Sequence, residues 1–163
     1  MAGALMATVQ IAPASAVPTE RVAIQNKHSH QCLEVADWST SNGAPVRQWP
    51  CHSGANQRWY IRNSPEGSGR KIVVNANSGK CLDAPGGDIG NGSQLVQWDC
   101  NGGLNQTWWL PAGDGQDNIA FWAGASPNNQ VMEINDFSTE NGSRAQMWEY
   151  NGGNNQLWGL PIG

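Results

Sequence analysis

Three side-chain types recur along this chain at positions that could bind a ligand. A carboxylate accepts charge-assisted hydrogen bonds, which are roughly twice as strong as neutral ones. A primary amide adds both donors and an acceptor, and an indole offers a flat apolar face. Together these groups suit a neutral, hydroxyl-rich ligand such as a sugar, whose C–H face packs on an aromatic ring. The recurring acidic residues are Glu34, Asp83 and Glu133, the indoles are Trp49, Trp98 and Trp148, and the amides are Asn56, Asn105 and Asn155.

These side chains belong to a repeated unit. The motif Asn-Gln-x-Trp occurs three times, and its final tryptophans lie 49 and 50 residues apart. A unit of this length with several short strands cannot bury its apolar face alone, so the three copies are predicted to share one core. The glutamines of the motif are Gln57, Gln106 and Gln156, and its tryptophans are Trp59, Trp108 and Trp158.

Short apolar runs separated by Gly and Asn clusters indicate an all-β fold. No window of the sequence shows a helical stripe. Each unit carries an Asn-Gly pair at the same place, namely Asn42-Gly43, Asn91-Gly92 and Asn141-Gly142. This pair predicts a two-residue type I′ hairpin turn, because both turn positions need positive φ. Closure of the three units around a pseudo-threefold axis would remove exposed strand edges.

The four cysteines follow the same register. Cys32 and Cys51 are 19 residues apart, and so are Cys81 and Cys100, which predicts one disulfide inside each of the first two units. Each would contribute roughly 3 kcal/mol by the chain-entropy estimate. A metal site is the alternative, but the sequence has no C-x-x-C and no nearby His pair. We expect neither a metal nor a cofactor.

Composition limits the partners. Charged residues make up 13% of the 163-residue chain, and the net charge is −4 with only nine Lys and Arg. No basic run is available to neutralise a phosphate backbone, so nucleic acid is not an expected partner.

The N-terminal segment is small and apolar, and it resembles the end of a secretory signal with an A-x-A cleavage site at Ala14-Ser15-Ala16. It is too short to span a bilayer. We therefore expect a secreted protein with no membrane insertion. Residues 1–20 are predicted to be a signal remnant or disordered tail, and residues 21–163 one domain with repeats at about 21–68, 69–116 and 117–163.

The ordered motifs Cys-Leu-Asp, Trp-x-Cys and Asn-Gln-x-Trp resemble those of the ricin B-type lectin family over roughly residues 21–163. The resemblance implies a β-trefoil of twelve strands in three four-stranded units, with Trp59, Trp108 and Trp158 in the shared core. It also implies non-catalytic carbohydrate binding through up to three pockets.

In the second repeat the resemblance assigns a role to each side chain. Asp83 and Asn105 would bond sugar hydroxyls, Trp98 would stack on the sugar ring, and Gln106 would steady Asp83. All four positions match the family, although Val96 stands where the family often has Gln. This repeat is therefore expected to form the strongest pocket.

The other two repeats depart from the pattern. Each has Glu in place of Asp, which moves the carboxylate by about 1.5 Å and could leave the pocket shifted, weak or silent. An aromatic residue, Trp38 or Phe137, also replaces Gly87, and it could form a second wall of the pocket or close it. The first repeat offers Glu34, Trp49, Asn56 and Gln57, with Arg47 at the position that is often Gln. The third offers Glu133, Gln146, Trp148, Asn155 and Gln156.

Structural interpretations of the same residues stay open. Trp49, Trp98 and Trp148 could be core residues, and the amides could satisfy buried backbone. A glycosidase is disfavoured, because it needs two carboxylates about 5 to 9.5 Å apart and each repeat supplies one at a fixed position. Galactose or N-acetylgalactosamine is the leading ligand from the resemblance, and several working pockets would bind a polymer multivalently. The alternatives are a xylan- or arabinan-targeting module of an enzyme, and a trefoil used for protein contact or as a toxin component.

Overall fold

The computed structural model describes residues 20–87, 89–111, 118–125 and 129–162, so the signal-like segment lies outside the described residues. This part of the chain contains twelve β-strands, six short 3-10 turns and no α-helix, which confirms the predicted all-β class. The strands are β1 (Gln25–Asn26), β2 (Cys32–Val35), β3 (Val46–Trp49), β4 (Trp59–Asn63), β5 (Lys71–Asn75), β6 (Cys81–Asp83), β7 (Val96–Trp98), β8 (Trp108–Trp109), β9 (Trp122–Ala123), β10 (Gln130–Ile134), β11 (Ala145–Glu149) and β12 (Trp158–Gly159).

Each repeat contributes four consecutive strands. The second and third strands of every repeat pair antiparallel, as β2–β3, β6–β7 and β10–β11. Isolated bridges join these three hairpins pairwise, through Pro45–Val96, Gln94–Gln146 and Arg47–Arg144. Strand β12 pairs with β1, so the third repeat closes onto the first. The repeats therefore form a closed ring.

The hairpin loops differ from the predicted turns. Gly43, Gly92 and Gly142 adopt positive φ of 82°, 88° and 84°, but the preceding asparagines do not, whereas a type I′ turn needs positive φ at both positions. The prediction of a two-residue type I′ turn is therefore wrong. Val35 pairs with Val46, so the first of these loops spans residues 36–45.

These glycine amides donate to the backbone of a neighbouring repeat. The bonds run from Gly43 N to Gln97 O at 2.8 Å, from Gly92 N to Met147 O at 2.8 Å, and from Gly142 N to Gln48 O at 2.9 Å. At the first of these junctions the side chain of Asn42 also accepts from the Asp99 amide at 2.9 Å. The Asn-Gly pairs thus lie within the hairpin loops and also connect neighbouring repeats.

The core lies where the repeats meet and contains the predicted tryptophans. Trp59, Trp108 and Trp158 are fully buried, which confirms their predicted place. Each indole N–H donates to a backbone carbonyl of its own repeat, at 3.0, 3.3 and 3.2 Å respectively. Because these buried donors are hydrogen-bonded, burial of the large apolar rings stabilises the fold without the cost of an unpaired polar group.

Both predicted disulfides are present, Cys32–Cys51 and Cys81–Cys100. In the third repeat Val131 is buried in place of the first cysteine. Tyr150 replaces the second cysteine and packs against Trp122 with the ring centroids 4.7 Å apart. In the third repeat, packing of apolar and aromatic side chains therefore replaces the disulfide of the other two repeats.

Candidate functional site

The second repeat gathers its acidic, amide and aromatic side chains around one surface hollow. Asp83 ends β6, and Asn105 lies in the adjacent 3-10 turn Leu104–Gln106. The Nδ2 atom of Asn105 donates to both carboxylate oxygens of Asp83, at 3.1 Å each. Val96, opposite Asp83 in the hairpin, has no side-chain hydrogen-bonding group. The carboxylate therefore keeps acceptor capacity on the side of the hollow.

Gln106 holds this carboxylate from behind. Its Nε2 atom donates to Asp83 Oδ2 at 2.7 Å and to the Asp99 carbonyl at 2.9 Å, while its oxygen accepts from the Asn101 amide at 2.9 Å. The residue is fully buried, so we interpret it as a positioning residue rather than a sugar contact. The equivalent glutamines bond in the same pattern. The residues in this positioning role are Gln57, Gln106 and Gln156.

Trp98 forms one wall of the hollow and is 44% exposed, in contrast to the buried tryptophans of the core. The hollow has a volume of about 410 Å³, and Pro85, Gly86, Gly87 and Asn101 complete its lining together with Asp83 and Asn105. An accessible indole beside a carboxylate and an amide is the arrangement that the recurring side chains predicted.

A neighbouring ion pair fixes the strand end that carries Trp98. Asp99 contacts Lys80 and accepts from Asn42 at 2.9 Å. The hydrogen bond from Lys80, followed by that from Asn42, holds the pKa of Asp99 below its ordinary value. Asp99 therefore stays ionised to a lower pH than a free carboxyl group.

The loop after each carboxylate strand takes the same left-handed backbone. In the second repeat Gly86 and Gly87 have φ of 66° and 72°. Glycine adopts this conformation without steric cost, whereas other residues pay about 1–3 kcal/mol each. The other repeats place an Asp and then an aromatic residue in these conformations. They are Asp37 and Trp38, with φ of 54° and 57°, and Asp136 and Phe137, with φ of 52° and 51°.

In the first repeat the carboxylate is hydrogen-bonded by an arginine side chain. Arg47 Nε donates to Glu34 Oε1 at 2.9 Å, and its Nη2 donates to Asp37 at 3.0 Å. The same guanidinium lies over the Trp49 ring, 4.8 Å from its centroid. Arg47 thus covers both the carboxylate and the aromatic face that a sugar would need.

Trp38 closes the first repeat from the other side. Its ring stacks on His52 with centroids 6.0 Å apart and an interplanar angle of 15°. A side-chain carbon added at Gly54 would lie 2.5 Å from Trp38 Cη2, so this indole lies directly against the loop that carries Asn56. Asn56 in this loop is buried.

The third repeat has an intermediate arrangement. Gln146 donates to Glu133 Oε1 at 2.9 Å, and Asn155 and Gln156 donate to Glu133 Oε2 at 3.2 and 3.0 Å. Trp148 is 36% exposed, so its ring stays accessible. Phe137 lies against Gly153, where an added carbon would be 2.6 Å from Phe137 Cζ.

The aromatic loop residues have a common effect on the amides. Asn56 and Asn155 are buried, and their Oδ1 atoms have no hydrogen-bond partner among the described residues. Asn105, whose repeat has Gly87 at the aromatic position, is partly exposed. A buried unpaired acceptor costs about 1–3 kcal/mol. All three carboxylates are buried, but in the second repeat Asp83 lines a hollow together with a partly exposed amide, Asn105, and an exposed indole, Trp98.

One feature of these pockets was missed by sequence reasoning. The covering of Trp49 by Arg47 was not foreseen, although the Arg stands at the position of Gln146 and so provided a signal. Gln97 next to Val96 points away from the hollow, where it donates to the Ser39 and Ser41 carbonyls at 2.9 and 3.0 Å. It therefore joins repeats and does not substitute for the missing Gln.

Within residues 20–87, 89–111, 118–125 and 129–162, no cluster of three or more His, Cys, Asp or Glu side chains could hold a metal ion. No helix within the described residues is long and apolar enough to cross a membrane.

Comparisons with known proteins agree with the geometry. The family model described as a ricin-type beta-trefoil lectin domain matches residues 20–158. The designed threefold-symmetric protein ThreeFoil is 31% identical with a TM-score of 0.80, covering 86% of this chain and 97% of that one. The Clostridium thermocellum exo-beta-1,3-galactanase 1,3Gal43A is 32% identical with a TM-score of 0.82, covering 90% of this chain and 31% of that one. These likenesses confirm the β-trefoil fold.

A curated relative matches over a shorter stretch. Serine protease 1 of Rarobacter faecitabidus is 40% identical over 37 residues, which cover 23% of this chain and 7% of the protease. The match therefore spans a small part of that relative's length.

Proposed function

We propose that this chain, which belongs to the ricin-type β-trefoil lectin family, is a non-catalytic carbohydrate-binding protein whose working pocket is the hollow of the second repeat. Membership in a lectin family supports carbohydrate binding in general. The observation that carries the assignment to one pocket is the open grouping of Asp83, Asn105 and Trp98 around about 410 Å³ of space.

The chemistry of this hollow fits a pyranose ring. A carboxylate has about four lone-pair sites, and the bonds from Asn105 and Gln106 leave part of that capacity for sugar hydroxyls. The exposed face of Trp98 supplies the apolar surface for the C–H side of the ring. A sugar that does not donate to the remaining lone pairs of the carboxylate would forgo hydrogen bonds to a charged group, worth about 1.5–3 kcal/mol, which gives the pocket its selectivity.

We propose a galactose-type ligand, galactose or N-acetylgalactosamine. A solved relative at 32% identity is named as an exo-beta-1,3-galactanase, and this chain corresponds to 31% of it. The same relative supports the alternative that this chain targets an enzyme to a polysaccharide, for which xylan and arabinan are the further candidates. A trefoil that contacts proteins is the remaining alternative.

We infer that the protein works outside the cytosol and without catalysis. Its two disulfides are typical of oxidising compartments. Among the described residues lining the hollow, Asp83 is the single carboxylate, whereas most glycosidases use two.

Multivalent binding would require the pockets of the first and third repeats, which are partly covered. Arg47 covers the first and Phe137 lies against the third, so we propose one strong site for each chain. A binding stoichiometry near one would agree with this, and a stoichiometry of two or three would show that the covered pockets open.

Calorimetric titration with galactose, xylose and arabinose tests the proposal. We expect galactose to bind, and Trp98→Ala to weaken it about tenfold, because stacking contributes about 0.5–1.5 kcal/mol beyond simple burial. Trp49→Ala is the matched control, since Arg47 already covers that ring. A folded protein that bound no glycan on an array would contradict the lectin assignment and favour protein contact. Release of reducing sugar from a polysaccharide would contradict the absence of catalysis.

A further inference from the structure

A second hollow lies outside the three repeat-borne pockets, where the second repeat meets the third. We call it the junction hollow; it has a volume of about 250 Å³, and its lining includes Arg70, Trp109, Trp122 and Asn129. Strands β8 and β9 pair antiparallel and set Trp109 directly opposite Trp122. Trp109 is 50% exposed. The junction hollow therefore combines accessible indole surface with a cation and an amide.

The shared fold does not require an aromatic residue at the position of Trp109. At the two equivalent strand pairings the chain places Tyr60 opposite Val74 and Gly159 opposite Gln25. Since a glycine supports the same backbone pairing, Trp109 is not needed to hold the strands together. Trp109 is moreover not isolated, because it lies opposite Trp122, which packs on the exposed Tyr150, and contiguous exposed apolar surface is typical of ligand sites.

Arg70 gives the junction hollow its charge preference. Its Nη1 atom is 3.4 Å from Glu66 Oε1, and about a third of each side chain is exposed to solvent. Exposed pairs of this kind are weak, so another carboxylate can compete for the guanidinium. The planar guanidinium donates to carboxylates in a bidentate fashion, which a neutral hydroxyl cannot match.

We propose that the junction hollow binds an acidic sugar, a hexuronate residue, with its carboxylate on Arg70 and its C–H face on the indoles. The amide of Asn129 is available to a ring hydroxyl. This site is separate from the second-repeat pocket and does not depend on the ligand of that pocket.

Titration with galacturonate in an Asp83→Ala variant tests the proposal, because galacturonate differs from galactose only in carrying a carboxylate at C6. We expect the variant to bind galacturonate and to have lost galactose. Should Asp83→Ala fail to fold, the same titration is run on the unaltered protein in saturating galactose. Binding of galacturonate to the site should then persist.

Two substitutions identify the site. Arg70→Gln should weaken galacturonate binding about tenfold, whereas Glu66→Gln should strengthen it by freeing the guanidinium. Arg62→Gln is the matched control, because that guanidinium lies over Tyr60 at the first junction, 4.7 Å from the ring centroid. The galacturonate affinity is measured for each of the three variants, and the galactose affinity of the same variant is the internal reference.

The outcomes separate this proposal from the proposed function. Unchanged galacturonate affinity in Arg70→Gln, or its complete loss in folded Asp83→Ala, would overturn the acidic-sugar site. Failure of the unaltered protein to bind galactose, with galacturonate binding intact, would instead overturn only the galactose assignment.

Discussion

The substitution Gly87→Phe should close the second-repeat pocket. Gly87 has φ of 72°, and Phe137 occupies the equivalent position at φ 51°, so the chain already accommodates this ring on this backbone. By analogy with the third repeat, the ring would lie against Gly103 and bury Asn105. A sugar would then lose hydrogen bonds to a charged group, worth about 1.5–3 kcal/mol, or about 10- to 150-fold in affinity. The left-handed conformation should cost about 1–3 kcal/mol of stability.

Gly86→Asp is the matched control for this experiment. It copies Asp37 and Asp136, places a non-glycine residue at the other left-handed position, and adds no aromatic ring. It should have a similar stability cost but, because it adds no ring over the hollow, it should lower galactose affinity less than Gly87→Phe does. Calorimetric titration and thermal unfolding of both variants measure the two effects separately. Unchanged affinity in folded Gly87→Phe would refute the argument that an aromatic residue at this position covers the pocket.

Three further predictions concern charge and covalent structure. Asp83→Ala should lower sugar affinity more than Glu34→Ala, because Arg47 already engages the carboxylate of Glu34. Equal losses by titration calorimetry would contradict this ranking. Replacing both cysteines of the second-repeat disulfide by serine should cost about 3 kcal/mol in denaturant unfolding, and a negligible change would be inconsistent with its role as a cross-link. Lys80→Ala should raise the pKa of Asp99 towards its ordinary value in an NMR titration. The stabilisation from Asp99 is present above that ordinary value and is lost as the pH falls through the lowered one, so a pKa unmoved by the substitution would disprove the coupling.

The sequence was sufficient for the framework of the fold. The spacing of the Asn-Gln-x-Trp motifs predicted three units around a shared core, and the complete burial of Trp59 agrees with it. It was not sufficient for the Asn-Gly loops. Residue type alone suggested a local hairpin turn, whereas the amide of Gly43 bonds to Gln97 in another repeat, at a sequence distance that local patterns do not report.

The pockets show a similar limit. Residue types and spacing grouped Asp83, Asn105 and Trp98 correctly, because equivalent positions in a repeat occupy equivalent places. They also predicted the second repeat as the strongest pocket, but they did not show how the other two pockets are covered. The covering of a pocket depends on the directions in which the side chains of Arg47 and Phe137 point. Packing determines these directions, and residue spacing does not encode them.

The backbone bonds between repeats have a consequence for how this fold can diversify. Three of the bonds that join the repeats run from the main-chain amides of Gly43, Gly92 and Gly142, so these bonds do not depend on which residue stands at position 38, 87 or 137. Each of these residues can therefore be exchanged without removing those main-chain bonds. A fold built from three copies of one unit could therefore keep the binding surface of one repeat while the other two repeats acquire different functions.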